Sequence, residues 1–287
     1  MSVEITTAFV EQYSANIQLL SQQKGSRLSG LVRNESVTGK NAFFEQIGAV
    51  SAAIRTSRHS DTPRMDTPHS RRRVSLVDYD WADLIDNEDK VRMLIDPTSS
   101  YAASAAFAMG RSKDDAIIEA ATGAAYTGTT GGTSTSLPSS QKIAVSGTDG
   151  LTLAKLLAAK EILDSNEADP DMQRNIAVTA KQVTDLLNTT EIKNADYNSV
   201  KALAQGQINT FMGFNFVRTQ RLGTDANGDR QVICWVQDGI LLATGKDATS
   251  KISEMPTKNY STQVFYSQTI GATRMEEEKV VEIACSE

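Results

Sequence analysis

Residues 96–123 read Asp-Pro-Thr-Ser-Ser-Tyr-Ala-Ala-Ser-Ala-Ala-Phe-Ala-Met-Gly-Arg-Ser-Lys-Asp-Asp-Ala-Ile-Ile-Glu-Ala-Ala-Thr-Gly, and no other stretch limits the fold as tightly. The run predicts one helix with both ends marked. Asp96 can accept from the free amides of the first turn, Pro97 suits the first helical position, and Gly123 offers a left-handed stop. Tyr101, Ala105, Ala108, Ser112, Ala116 and Glu119 recur at helical spacing. Ala102, Ala106, Met109, Ile117 and Ala120 form an adjoining apolar stripe of mostly small side chains, which lets another backbone come close. At about 1.5 Å per residue such a helix spans on the order of 40 Å and acts as a strut. Gly110 inside it costs about 1 kcal/mol relative to Ala.

A chain of 287 residues with 40% apolar and 22% charged side chains has the make-up of one large or two smaller globular domains. No stretch approaches the roughly 18 apolar residues of a membrane span, and the first residues lack a basic and then apolar leader, so neither membrane partner nor classical export is expected. Two cysteines, Cys234 and Cys285, are too few for a disulfide framework and are expected to be buried thiols in a reducing compartment. The net charge of −6 argues against a nucleic-acid coat over the whole surface.

Ahead of the strut, Ile5, Phe9, Tyr13, Ile17 and Leu20 share one face of an expected helix, a sticky arm suited to packing on protein. Residues 25–48 are rich in Gly, Ser, Asn and Thr, with Phe43, Phe44 and Ile47 as anchors, and predict an extended arm rather than core. Residues 55–73 then concentrate Arg55, Arg58, Arg64, Arg71, Arg72 and Arg73. Both histidines, His59 and His69, lie there too, and Pro63 and Pro68 keep the chain extended. A long exposed loop is expected. Directly after it come Asp78, Asp80, Asp83, Asp86, Glu88 and Asp89, so the charge inverts within a few residues. The arginines could bind phosphate with salt-sensitive affinity, or pair with carboxylates of a neighbouring copy, for which Asp83, Asp86 and Asp89 are the candidates. No aromatic interleaves the arginines, so a base-stacking platform is poorly supported. On the pairing reading, reversal of Arg71, Arg72 and Arg73 to Glu leaves the subunit folded and blocks assembly.

Beyond the strut, residues 127–140 predict a flexible connection. Thr152 starts a helix with Leu153, Leu156, Leu157 and Leu163. Residues 175–179 are a short strand, and Val183, Leu186 and Leu187 mark the next helix. A helix through Val200, Leu203 and Ile208 leads to a strand over 213–219. Asp225, Asn227 and Asp229 have a partial calcium-loop spacing, but Arg230 stands where glycine is required and Val236 where glutamate is required; Asn227-Gly228 predicts a hairpin instead. Strands are expected over 231–236, 239–244, 263–270 and 279–285, the last tying the C-terminus into a sheet.

No chemistry of catalysis is visible. Gly39-Lys40 and Gly245-Lys246 are followed by Asn41 and Asp247, so no phosphate loop forms. Two histidines supply neither a triad nor a metal site, and Asp114-Asp115 and Glu276-Glu277-Glu278 are expected to be solvated charges. No enzyme, cofactor or metal is expected.

Taken with the run Gly206-Gln-Ile-Asn-Thr-Phe-Met-Gly-Phe-Asn-Phe216 and the closing Gly271-Ala-Thr-Arg274 and Val280 strand, the chain resembles tailed-bacteriophage major capsid proteins. The resemblance covers nearly its whole length and implies the α+β Hong Kong ninety-seven capsid fold. It implies an N-terminal arm over 1–50, an extended loop over 51–82, a peripheral domain with the spine helix over 83–184, an axial domain over 185–261, and return strands over 262–287. It further implies self-assembly of hexamers and pentamers into an icosahedral shell that encloses double-stranded DNA without reading its sequence, in a virion assembled in the host cytoplasm. A separate scaffolding protein, a portal and a decoration protein are the implied partners, the first because the arm begins at Met1 with no scaffolding extension. Some relatives crosslink through Lys and Asn; Lys40 and Asn41 have no spacing that identifies a pair, and no crosslink is expected. The alternatives are an encapsulin-type compartment shell, told apart by its cargo, and an arginine-loop nucleic-acid-binding protein, told apart by salt-steep DNA affinity as a monomer.

Overall fold

The computed structural model describes residues 21–59, 61–62, 64–86, 98–145, 149–188 and 210–287. The amphipathic stripe from Ile5 to Leu20, the caps Asp96 and Pro97, Asp89, and the helix through Leu203 lie outside them. In chain order the strands β1 (Arg33–Ser36), β2 (Asn41–Ile47), β3 (His69–Ser75) and β4 (Val77–Ile85) precede α1 (Thr98–Thr122). Then come β5 (Ala125–Thr127), β6 (Thr133–Thr135), β7 (Lys142–Ile143), α2 (Leu153–Ser165), β8 (Arg174–Val178) and α3 (Ala180–Asn188). The rest is strand: β9 (Thr210–Phe211), β10 (Phe214–Arg218), β11 (Arg230–Val236), β12 (Ile240–Met255), β13 (Ser261–Arg274) and β14 (Val280–Cys285). Three sheets result, ordered β1-β12-β13-β4, β7-β14-β11-β8-β10-β9 and β2-β3-β5-β6. No described helix is long and apolar enough to cross a membrane.

The chain divides into two compact units. The described part of one comprises residues 21–26, 78–86, 98–112 and 246–268. In it α1 buries Ala105 from one expected stripe and Met109 from the other, while Ala106 is exposed and does not share the packed face. The close approach expected of a small-residue helix is made at Gly110. A Cβ there would lie 2.5 Å from Gly25 Cα and 2.7 Å from Ser26 N. The chain before Gly25 is held by Arg111, which donates to Gln22 Oε1 at 2.8 Å and to the Gln23 carbonyl at 3.2 Å. Gln268, fully buried, donates to the Met109 carbonyl at 3.0 Å.

The other unit comprises described residues of 27–77, 113–245 and 269–287. Its six-stranded sheet is built on β11, where Val232, Ile233, Cys234, Trp235 and Val236 are all buried. This is an unbroken apolar run, as a strand covered on both faces requires. β11 runs antiparallel to both β14 and β8, and β8 runs parallel to β10. The helix α2 packs on β14 and β7. Thr152 caps it as expected, its Oγ1 accepting from Lys155 N at 3.3 Å. Lys155, itself buried, donates through Nζ to the carbonyls of Asp149, Gly150 and Ala284 at 2.9, 2.9 and 3.0 Å. A second core holds Val37, Val74, Leu241, Ala243 and Met275.

Several expectations fail here for physical reasons. Residues 25–48 are not merely an arm: Leu28, Val32 and Val37 are buried, whereas the expected anchors Phe43 and Ile47 are exposed. The 127–140 connection is ordered, because β5 and β6 form an antiparallel hairpin that extends β3. The turn at Asn227-Gly228 forms, with Asp225 N donating to the Asp229 carbonyl at 2.8 Å, but it closes only an isolated Thr224–Arg230 bridge. β10 and β11 each pair with β8 rather than with each other. Gly123 does not end α1 in the left-handed region. Arg274 supplies the stop instead, donating to the carbonyls of Ala121 at 2.9 Å and Gly123 at 2.8 Å, a cation where the helix dipole is negative. Asp114 is not solvated. It is fully buried and accepts from the backbone N–H groups of Arg27 and Leu28 at 3.0 to 3.1 Å.

Candidate functional site

The basic run divides into two environments at Gly48 and Pro68. Gly48 N donates to the Pro68 carbonyl at 2.9 Å, closing the β2–β3 hairpin from which the described residues between 49 and 68 emerge. Arg55, Arg58 and Arg64 lie on this exposed segment. Arg55 Nε donates to the Ser57 carbonyl at 2.9 Å, and Arg64 approaches Asp66 at 3.8 Å with both side chains more than nine-tenths exposed. Such contacts hold little, since an exposed ion pair contributes about 0 to 1 kcal/mol.

Arg71, Arg72 and Arg73 are not on a loop. They form β3, whose register sets Arg71 beside Glu45, Arg72 beside Phe44 and Arg73 beside Phe43. The period of two sends Arg71 and Arg73 to one face and Arg72 to the other. On the first face Arg71 pairs with Glu45 and lies 5.6 Å from the Phe43 ring centre, and Arg73 lies 4.7 Å above Tyr126. Aromatic partners therefore exist, supplied by neighbouring strands where a linear reading does not find them. A groove of about 430 Å³ opens beside them, lined by Glu45, His69, Ser70, Arg71 and residues 127–129.

On the opposite face Arg72 is 7% exposed. Its Nε donates to the Met275 carbonyl at 2.8 Å and its terminal nitrogen to the Glu277 carboxylate. Gln46 Nε2 donates to the same carbonyl at 2.6 Å. Glu277, expected to be solvated, is buried and stands 3.7 Å from the Nε of the fully buried Arg274. Burial pushes the Arg274 guanidinium below its ordinary value, an effect that Glu277 opposes. One carboxylate thus joins β3, the end of β13 and, through Arg274, the last turn of α1. Reversal of Arg72 to Glu would set two carboxylates together in a buried site, so the subunit would not stay folded as the loop reading expects.

The described acidic candidates, Asp83 and Asp86, fall on β4 and just after it. Asp83 is half-buried and its Oδ1 accepts from Leu84 N at 2.8 Å. Asp86 is exposed and accepts from Ser261 Oγ at 2.6 Å. Asp114, Glu277 and Arg274 are functional residues for the fold that sequence reasoning missed, because each is matched by groups far away in the chain. Cys234 and Cys285 are free and buried. Burial raises both thiols, Cys285 to about 11, so neither is a reactive thiolate. Among the described residues no group of three or more His, Cys, Asp or Glu side chains could hold a metal ion.

A family profile described as phage capsid protein matches residues 5–287. The chain belongs to the phage capsid protein family. Among solved structures, this capsid protein is similar to the capsid of Ralstonia phage GP4, with a TM-score of 0.76 at 8% identity over 97% of this chain and 95% of that one. The capsid of cyanophage P-SCSP1u gives 0.74 at 16% identity over 98% and 94%. The capsid of the empty GTA particle, computed with C5 symmetry, gives 0.74 at 14% identity over 100% and 98%. No curated protein matches. The fold is the Hong Kong ninety-seven-like capsid fold, and the family assigns the chain a structural role as a major capsid shell protein of the virion.

Proposed function

We propose that this capsid protein assembles as hexamers and pentamers into the icosahedral head of a tailed bacteriophage, in the host cytoplasm, and encloses double-stranded DNA without sequence-specific contact. The observation that carries the reading is that the family match and the fold likeness both run over essentially the whole chain. A separate scaffolding protein, a portal and a decoration protein are its proposed partners. Within the shell, the exposed Arg55, Arg58 and Arg64 are proposed to pair with carboxylates of a neighbouring copy, Asp83, Asp86 and Asp89 being the candidates. A single exposed pair is weak, but each subunit makes and receives the contact and is held by several neighbours at once, so small terms add. Arg71, Arg72 and Arg73 are proposed to act in assembly only through the β2–β3 hairpin that they hold in place.

Negative-stain microscopy of the expressed protein tests the reading. Closed shells or tubes are expected, and efficient assembly of the purified chain alone would argue against a separate scaffolding protein. A small monodisperse species at every concentration tested would overturn it.

A further inference from the structure

In the distal part of β12 the strand periodicity ends: residues 246–254 are all exposed, on both faces. The strand lies second in its sheet, beyond β1, yet β1 covers only residues 241–244. Among the described strands none follows β1 along that edge. Val37 N donates to the Thr244 carbonyl there, so by the alternation of a strand the backbone groups of Lys246, Ala248, Ser250, Ile252 and Glu254 point to the same open edge. A long edge of unpaired N–H and C=O groups is a template for another strand; proteins blunt it with charged side chains, proline, a bulge or a cover, and charges such as Lys246 and Glu254 admit only a strand of complementary charge. Residues 246–254 carry no proline, and Ile252 stands 55% exposed on the edge.

We propose that this edge is an interface between two copies of the chain, which join their β12 strands antiparallel about a two-fold axis at Ser250. The proposal rests on the shell reading and adds the contact. Its basis is that the edge is complementary to itself. In this register Lys246 stands opposite Glu254 of the second copy, Ala248 opposite its Ile252, and Ser250 opposite its Ser250; two-fold symmetry then repeats each pair. Opposed side chains on adjacent antiparallel strands have Cβ atoms about 4.5 to 5.5 Å apart, so both an ion pair and an apolar contact form on one face. On the other face Asp247 lies diagonal to Lys251 of the second copy, about 7 to 8 Å away and within reach of a long side chain. Lys246 Nζ bonds Ser267 Oγ on β13 at 2.7 Å, on the side away from the open edge, and exchanges that bond for Glu254 of the second copy when the strands join. The edge residues whose backbone groups face outward are the ones that carry the complementary side chains.

Directly opposed residues of a hydrogen-bonded antiparallel pair have Cα atoms about 5.5 Å apart, inside the range a disulfide spans. Ser250→Cys should therefore crosslink subunits in particles under mild oxidation, giving a band of twice the subunit mass on a non-reducing gel. Cys234 and Cys285 are buried and leave the introduced thiol as the reactive one. Ile252→Cys is the control: its opposed residue is Ala248, the two introduced thiols lie more than about 13 Å apart along the strands, and its dimer yield should be lower by about tenfold. Lys246→Glu or Glu254→Lys alone should lower particle yield, and the double exchange should restore it. Particles that form while the Ser250→Cys variant gives no more dimer than Ile252→Cys would overturn the pairing and leave the shell reading intact. Absence of particles together with efficient crosslinking at Ser250 would overturn the shell reading and leave the pairing.

Discussion

Arg64 and Arg72 belong to one basic run, and their surroundings are opposite. Arg64 is 93% exposed in its side chain, with Asp66 at 3.8 Å beside it. Arg72 is buried on β3, with the Met275 carbonyl and the Glu277 carboxylate as partners and Arg274 on the far side of that carboxylate. Charge density alone does not distinguish them. A guanidinium in water is inexpensive to keep and inexpensive to lose, whereas one taken out of water must keep its partner. The buried arginine fixes where the hairpin sits, and the exposed ones are free to meet another molecule.

The largest expected effect follows from the buried half. Arg72→Ala leaves Glu277 without one of its two cations, and Glu277→Ala leaves two buried guanidinium groups without the carboxylate they share. Each should cost about 3 to 5 kcal/mol and lower the midpoint of thermal or urea unfolding accordingly. Unfolding free energies within about 1 kcal/mol of the parent for both variants would show that water reaches the cluster and that Arg72 is no more committed than Arg64.

Arg73 lies between the two extremes, and sharpens the gradation. Its guanidinium sits 4.7 Å from the Tyr126 ring centre, with no hydrogen bond needed to hold it there. Arg73→Lys and Tyr126→Leu should each cost about 0.5 to 2 kcal/mol, and combining them should cost less than the sum. Strict additivity in that double-mutant cycle would mean that the ring and the cation are merely neighbours.

The smallest effect on stability belongs to the exposed half. Changing Arg55, Arg58 and Arg64 together to Glu should shift unfolding by no more than about 0.5 kcal/mol, the usual range for surface sites. Particle yield by sedimentation should nevertheless fall, more at low salt than at high salt, because exposed charges are screened. Normal yield at both salt concentrations would remove these arginines from the proposed contact. A loss of stability comparable to that of Arg72→Ala would show the exposed segment to be part of the fold.

Much of the architecture was legible because it is written in local periodicity. The small-residue run gave α1, Thr152 and the leucines gave α2, the apolar run from Val232 to Val236 gave β11, and the closing strand gave β14. Helix and strand patterns of this kind are decided by neighbours three or four residues away, or two, and need no knowledge of the rest of the chain. Other elements carried no such mark. Arg-Arg-Arg has no apolar alternation, so β3 read as loop, and the Gly- and Thr-rich stretch that makes the β5–β6 hairpin read as a linker.

The sequence alone therefore determined the strut, the helix and strand types, the absence of a recognisable catalytic motif, and the reversal of charge ahead of α1. Tertiary structure decided which charges are used up inside the subunit. Asp114 meets Arg27 and Leu28 more than eighty positions earlier, and Arg72 meets Glu277 more than two hundred positions later. It also replaced the expected glycine stop of α1 by a guanidinium from the far end of β13. The physical reason is the same in each case. Burying a charge is favourable only when a partner is delivered to it, and the partner is delivered by the path of the chain through space, which no local pattern encodes.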